Sequence, residues 1–165
     1  LNIEGLLALK NAISSPMWRT AKLQDDSEIL EMCEALYRED PSTHTVSRAQ
    51  TQLTLRTLRE HPPRGRAVVF ENAQSIEGYA LLISFWSNEL GGDVTVIDEI
   101  YVRLKSRGLG LATQLIKSLL TSDAVALELE VTPANSRARA FYETLGFKPI
   151  KNARMRAQNT QTLLA

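Results

Sequence analysis

Apolar residues recur along this chain with two periods, and the places where the period changes mark its elements. Trp18 to Leu23 looks like a short first strand. Asp25, Asp26 or Ser27 can cap a helix in which Ile29, Leu30, Cys33, Leu36 and Tyr37 fall at helical spacing, and Pro41 stops it. A polar loop from Glu39 to Thr45 precedes a second helix, Val46 to Glu60, that ends before Pro62-Pro63. Arg66 to Glu71 and Ile76 to Trp86 read as strands joined by a turn at Asn72 to Ser75. A second hairpin turn, Asn88 to Asp93 with Gly91-Gly92, leads into a β-type run from Val94 to Val102. An amphipathic helix from Leu111 to about Thr121 follows, then an alternating strand, Val125 to Val131.

Thr132-Pro133 is a good helix entry, and Ala138, Phe141, Tyr142 and Leu145 share one side of the helix that Gly146 ends. Phe147 to about Met155 is expected to return as a last strand, and the tail to Ala165 is ambiguous. The order β-α-α-β-β-β-α-β-α-β predicts an α/β fold, a mixed sheet with helices on its faces. Leu1 to Ile13 is moderately apolar, but Glu4, Lys10 and Asn11 interrupt it too early for a signal-peptide core. Residues 1–15 read instead as a short extra helix or a remnant of a native N-terminus.

A length of 165 residues and a 44% hydrophobic content suit one domain spanning 1–165. Nineteen basic residues balance nineteen acidic ones, so the chain has no overall attraction for nucleic acid or an anionic membrane. Only Arg137/Arg139 and Lys148/Lys151/Arg154/Arg156 hint at a basic face, and such charges usually form a solvated surface. The single cysteine, Cys33, excludes an internal disulfide, which agrees with a cytoplasmic, reducing location, and its spacing makes it a small core residue. No apolar run approaches the ~20 residues of a membrane span. His44 and His61 show neither metal nor triad spacing, and no metal is expected.

Strand, basic turn and Gly108-Leu109-Gly110 lead directly into the helix at Leu111. N–H groups at the head of a helix lack partners within it, the helix dipole is positive there, and glycines let that backbone approach a phosphate. Arg107 adds a side-chain donor beside them. The spacing is neither G-x-x-x-x-G-K-[ST] nor G-x-G-x-x-G, since Thr113 stands where a third glycine is needed. Two glycines after a strand are also what an ordinary strand-to-helix loop contains.

A second stretch decides between these readings: Val131-Thr-Pro-Ala-Asn-Ser-Arg-Ala-Arg-Ala-Phe-Tyr-Glu-Thr-Leu-Gly-Phe147. Together the two closely resemble the GNAT superfamily of N-acetyltransferases, which move an acetyl group from acetyl-coenzyme A to an amine. Lys105-Ser-Arg-Gly108-Leu-Gly110 is similar to the signature [Q/R]-x-x-G-x-[G/A], with lysine in the first place and Leu104 where many relatives carry proline. Asn135, followed by Phe141-Tyr142-Glu-Thr-Leu-Gly146-Phe147, resembles the second signature, an asparagine on a turn before a helix ending in F-Y-x-x-x-G-F. The resemblance is specific over about Val94 to Ile150. It implies a GNAT fold of about six to seven strands, with helices on both faces and splayed strands that hold acetyl-coenzyme A.

The resemblance also implies roles. The backbone of Arg107, Gly108, Leu109, Gly110, Leu111 and Ala112 would hold the diphosphate, and Ile100, Tyr101 and Val102 would pair with the pantetheine arm as if it were another strand. Asn135 would bond that arm from the other side, with Arg137, Ala138 and Tyr142 completing the set; Asn135 could equally be a helix cap. Tyr142 matches the family tyrosine that donates a proton, or a hydrogen bond, to the departing sulfur, the alternative being a plain core aromatic beside Phe141.

The reaction needs a base as well. A lysine-like amine with a pKa of about 10.4 must lose its proton to attack at pH 7, at a cost of roughly 4 to 5 kcal/mol, whereas the leaving thiol near pKa 8.5 needs only about 2 kcal/mol of help. A carboxylate, directly or through water, can collect the amine's proton. Asp98 and Glu99 are consecutive in an apolar strand, so strict alternation turns them to opposite faces and one of them toward the cleft. Polyamine-type relatives carry an acidic pair here followed by the same Ile/Leu-Tyr-Val, which makes Asp98 the preferred base and Glu99 the second. The bland alternative is a structural carboxylate pair bound to Arg or Lys.

For the acceptor, the resemblance points to Glu39, Asp40, His44, Phe85, Trp86 and Glu89, acidic and aromatic groups suited to a cationic amine through charge and cation–π contact. The expected activity is acetyl transfer to a primary amine of a small molecule, with no nucleic-acid or membrane partner. Acetylation of a protein N-terminus or lysine, and a non-catalytic acyl-coenzyme A sensor, are the alternatives. A homodimer is expected from the family's habit, though no residue identifies an interface.

Overall fold

The structure, a computed structural model, describes residues 16–41, 45–73, 75–151 and 155. The expected extra helix over 1–15, His44 and most of the tail lie outside the described residues. Two compact units divide the chain, Leu1–Thr132 and Pro133–Ala165.

The first unit is built on a five-stranded sheet in the order β1-β2-β3-β4-β5. Its strands are β1 (Met17–Thr20), β2 (Gly65–Glu71), β3 (Ile76–Ser87), β4 (Gly92–Val102) and β5 (Ala126–Leu129), and its helices are α1 (Asp26–Glu39), α2 (Arg48–Glu60) and α3 (Leu111–Leu120). Neighbouring strands run antiparallel except β4 and β5, which are parallel. That mixture follows from the connections: tight turns join β2 to β3 and β3 to β4, whereas α3 carries the chain from β4 to β5.

The long central strand β3 is buried from Ile76 to Leu82, which explains its nearly continuous apolar sequence. On one face, Ala67, Val69, Tyr79 and Leu81 pack with Ile29, Met32 and Cys33 of α1 and Leu55 and Leu58 of α2. Each fully buried aliphatic chain of this cluster contributes about 1.5–3 kcal/mol. The opposite face carries Trp18 and Phe70, in edge-to-face contact, and the Trp18 indole N–H donates to the carbonyl of Leu111 at the start of α3 (2.9 Å). Helices therefore cover both faces.

Several boundaries differ from the sequence expectation. The first strand stops at Thr20, because Asp25 turns back to accept from Arg19 (2.7 and 3.0 Å) and from the Lys22 N–H (2.7 Å), closing a 3-10 turn over Leu23–Asp25. The second helix starts at Arg48, after Ser47 and Gln50 cap each other reciprocally.

In the second unit, α4 (Ser136–Thr144) begins three residues beyond Pro133, with Asn135 accepting from the Ala138 N–H (3.0 Å). Gly146, at φ +92°, ends the helix with the Phe147 N–H returned to the Tyr142 carbonyl (3.2 Å). Phe147 to Lys151 forms no strand, so the described residues hold five strands and not the six to seven expected. Pro149 has no N–H to give a ladder at that point; most of the remainder of the expected strand is outside the described residues.

Candidate active site

The parallel ladder between β4 and β5 runs from Val94 opposite Ala126 to Ile97 opposite Leu129. It ends there, although β4 continues for five more residues paired on its other edge to β3: Ile100 opposite Ala80, Tyr101 opposite Tyr79, Val102 opposite Gly78. The backbone of Ile100 to Val102 therefore lies on the part of β4 past the last β5 partner.

At the same point β4 bulges. Leu81 faces Glu99 and Leu82 faces Ile97, so Asp98 is an inserted residue. The extra residue interrupts the strict two-residue period on which the opposite-face argument relied. Glu99 lies on the α1 face and accepts from the phenols of Tyr37 (2.6 Å) and Tyr79 (2.8 Å). Burial and the Glu99 carboxylate push the Tyr37 phenol well above its ordinary range, and the charge of Asp98 adds to the same effect. Tyr79, fully buried, is raised further by burial and by Glu99. Both tyrosines thus stay protonated as donors, and both carboxylates act on the Tyr37 phenol. Asp98 itself is exposed.

Past β4 the chain makes a 3-10 turn, Leu104–Ser106, and then the glycine turn. Gly108 and Gly110 both sit at φ +80°, and a Cβ at either would meet nothing within 4 Å. The glycines are needed for their backbone conformation, and they border open space. Gln114 N–H to the Gly110 carbonyl (2.9 Å) is a first-turn bond of α3, so the amides of Leu111, Ala112 and Thr113 have no i−4 acceptor inside the helix. An open, positive-φ turn feeding helix-head amides that have no backbone partner among the described residues fits the diphosphate of a nucleotide thioester.

Arg107 is occupied differently from the sequence reading. Its Nε donates to the Val102 carbonyl (2.8 Å), its Nη2 pairs with Glu39 (2.7 Å), and its guanidinium lies 5.1 Å from the Tyr101 ring centre. The Tyr101 phenol donates to the other oxygen of Glu39 (2.8 Å). Burial would raise the Glu39 carboxyl, but the bonds from Arg107 and Tyr101 outweigh it and hold it below the usual range. Next to it, Asp40 accepts from the Thr132 hydroxyl (3.1 Å). The end of α1 therefore reaches the cradle through Glu39 and the segment after β5 through Asp40, while Tyr37, one half-turn earlier, reaches Glu99.

The acceptor candidates do not converge. Glu39 and Asp40 lie at the cradle end of β4, whereas Phe85 and Trp86 pair with Val94 and Asp93 at the other end, and Glu89 is on the hairpin tip. Trp86 is five residues along β3 from Leu81, the partner of Glu99, which is roughly 16 Å. In the second unit Asn135 is the helix cap already described, Arg137 is exposed and Ala138 half-buried. Tyr142 packs between Phe141 (5.2 Å) and Phe147 (5.6 Å), and burial raises its phenol above the ordinary value.

Sequence reasoning passed over Glu77, Tyr37 and Tyr79 as site residues. Glu77 had a signal, a charge inside the apolar run Ile76 to Ile83. The two tyrosines had none, since each fits its apolar helix or strand face.

The family model of the acetyltransferase (GNAT) family matches residues 29–147, and the chain belongs to this family of acetyl-coenzyme A-dependent acyltransferases. No curated protein sequence matches the chain significantly. Among solved structures, it is similar to a possible acetyltransferase from Clostridium difficile (20% identity, TM-score 0.78, covering 88% of this chain and 99% of that one). It is similar also to the ribosomal-protein-alanine N-acetyltransferase of Brucella melitensis (16%, 0.67, 87% and 99%) and to an acetyltransferase of Trypanosoma brucei (23%, 0.63, 87% and 99%). At these identities the likeness is one of fold. Among the described residues no helix is long and apolar enough to cross a membrane.

Proposed function

We propose that the chain transfers the acetyl group of acetyl-coenzyme A to a primary amine of a small molecule by direct attack. The observation that carries this reading is the succession along one stretch of a ladder that stops at Ile97, an acidic pair at Asp98 and Glu99, and an open glycine turn at the head of α3. The amides from Gly108 to Ala112 hold the diphosphate, and the backbone of Ile100 to Val102 pairs with the pantetheine arm. An N–H there also polarises the thioester carbonyl, whose oxygen gains charge as the amine adds; one preorganised donor of this kind is worth about 3 kcal/mol.

Asp98, exposed on its bulge, collects the proton of the attacking amine directly or through a water molecule. Glu99, held by two phenols, is the supporting charge that favours a cationic amine. Nitrogen bonds to the carbonyl carbon, the C–S bond breaks, and the sulfur receives a hydrogen bond or a proton from Tyr142, which burial keeps protonated at neutral pH. Glu39 and Asp40, at the cradle end of β4, are the acidic side chains best placed to attract the acceptor.

Mass spectrometry of products from an amine and peptide library supplied with acetyl-coenzyme A tests the substrate class. Acetylated small amines are expected, and transfer only to peptides, or to nothing, would contradict the proposal. Tyr142→Phe is expected to lower kcat at saturating acetyl-coenzyme A by roughly 10- to 100-fold; an unchanged kcat removes Tyr142 from the chemistry.

A further inference from the structure

Glu77 is a carboxylate with 2% of its side chain exposed, between Ile76 and Gly78 on the buried part of β3. Removing a charge from water is costly unless it is paired and hydrogen-bonded, so each of its partners matters. Ser75, in the turn between β2 and β3, bonds one oxygen, and the Lys105 ammonium pairs with that same oxygen at 2.8 Å. The Ser106 hydroxyl donates to the other oxygen at 2.7 Å. Backbone bonds reinforce the attachment: the Arg103 N–H donates to the Glu77 carbonyl (2.9 Å), and the Arg103 side chain donates from Nε to the Ile76 carbonyl (3.0 Å).

Apart from that of Ser75, these contacts fall on Arg103, Lys105 and Ser106, which lie just before the glycine turn. The turn is also closed internally, by Ser106 N–H to the Arg103 carbonyl (2.9 Å) and Arg107 N–H to the Leu104 carbonyl (3.3 Å). Gly108 follows at once, with φ +80° and empty space around it. A turn with two glycines in open space has little of its own to fix the direction of its amides. What fixes it must come from its flanks, and on the N-terminal side two anchorages do so: Arg107, held by the Val102 carbonyl and Glu39, and, under Lys105 and Ser106, Glu77.

We infer that Glu77 is a positioning residue for the acyl donor, holding Lys105 and Ser106 so that the amides beyond them are aimed before the diphosphate arrives. The inference rests on the donor reading proposed above. It also gives Lys105 a different task from the flanking of phosphate that its place in the motif suggests: its ammonium neutralises Glu77 beneath the cradle.

A preorganised cradle acts on binding of the donor and leaves the chemical step alone, which separates this role from general damage to the fold. Glu77→Gln keeps the volume but removes the charge and one strong acceptor. Its Kd and KM for acetyl-coenzyme A are expected to rise about tenfold, with kcat at saturation and the KM of the amine within about twofold of wild type. Ser106→Ala, which leaves the Glu77–Lys105 pair in place, should move the same constants in the same direction by about threefold. Glu77→Asp, which keeps the charge, should recover part of the loss.

Should Glu77→Gln fail to fold, Ser106→Ala alone decides the matter, and an unchanged Kd there overturns the inference. A folded Glu77→Gln that melts earlier but binds the donor as wild type does also overturns it, as does an equal fall in kcat and kcat/KM. Wild-type protein that takes up no acetyl-coenzyme A would overturn the donor reading itself, whereas wild-type binding that Glu77→Gln leaves intact overturns only the role of Glu77.

Discussion

The two ends of β4 are built on different principles. At its start, the hairpin of Phe85, Trp86, Glu89 and Leu90 stands in solvent, with Trp86 66% exposed, and the turn is closed by Gly91 N–H to the Ser87 carbonyl (2.8 Å) and Leu90 N–H to the Ser87 hydroxyl (3.2 Å). At its finish, side chains from α1, β3 and the two turns form two anchored clusters, Glu77 with Lys105, Ser75 and Ser106, and Glu39 with Arg107 and Tyr101. A hairpin tip can close on local backbone bonds alone. A turn that must present bare amides to an anion cannot, because those amides are withheld from the bonds that would stiffen it, and side chains from elsewhere take over.

This contrast can be broken most severely at the glycines. Gly110→Val places a β-branched side chain at φ +80°, a region such residues scarcely occupy, at the head of α3. The expected result in steady-state assays is a fall of roughly 100-fold or more in kcat/KM for acetyl-coenzyme A; activity within a few fold of wild type would mean that the turn does not hold the donor.

A smaller effect should be visible in acid. Burial would raise the Glu77 carboxyl, but Lys105, Ser75 and Ser106 together bring it from 4.5 down to about 2 in the folded chain. A carboxyl lowered on folding contributes stability that is fully present above its unfolded value and is lost as pH falls through its folded value. Chemical denaturation followed from pH 5 to pH 2 should therefore show wild type losing about 2 to 3 kcal/mol more than Glu77→Gln over that window. Parallel acid limbs would place the anchor elsewhere.

The smallest effect belongs to the other end of the strand. Trp86→Ala should leave the acceptor KM within about twofold and stability within roughly 0.5 kcal/mol, as for an exposed residue without partners in the core. A large rise in the acceptor KM would return the hairpin to the acceptor site and erase the contrast.

What could be read from the sequence divides along similar lines. The cradle was legible because its ingredients, an apolar strand, two glycines and a helix start, are contiguous, and their physics is local. The helices and strands around it were legible from period alone, apart from the last strand, where Pro149 was passed over. The anchorage was not, because Glu77 and Ser106 are 29 residues apart, and Arg107 and Glu39 are 68 apart. No local pattern announces that Arg107 turns to Glu39 instead of outward. The bulge at Asp98 was not legible for a further reason: it inserts one residue without any mark in the apolar pattern and interrupts the alternation there.

The central claim is that peptide amides at Gly108 to Ala112 grip the diphosphate of the acyl donor. Titration calorimetry of coenzyme A against pantetheine, which lacks that diphosphate, addresses it most directly. The account predicts that coenzyme A binds at least about 100-fold more tightly; equal affinities, or no uptake of coenzyme A at all, would contradict it.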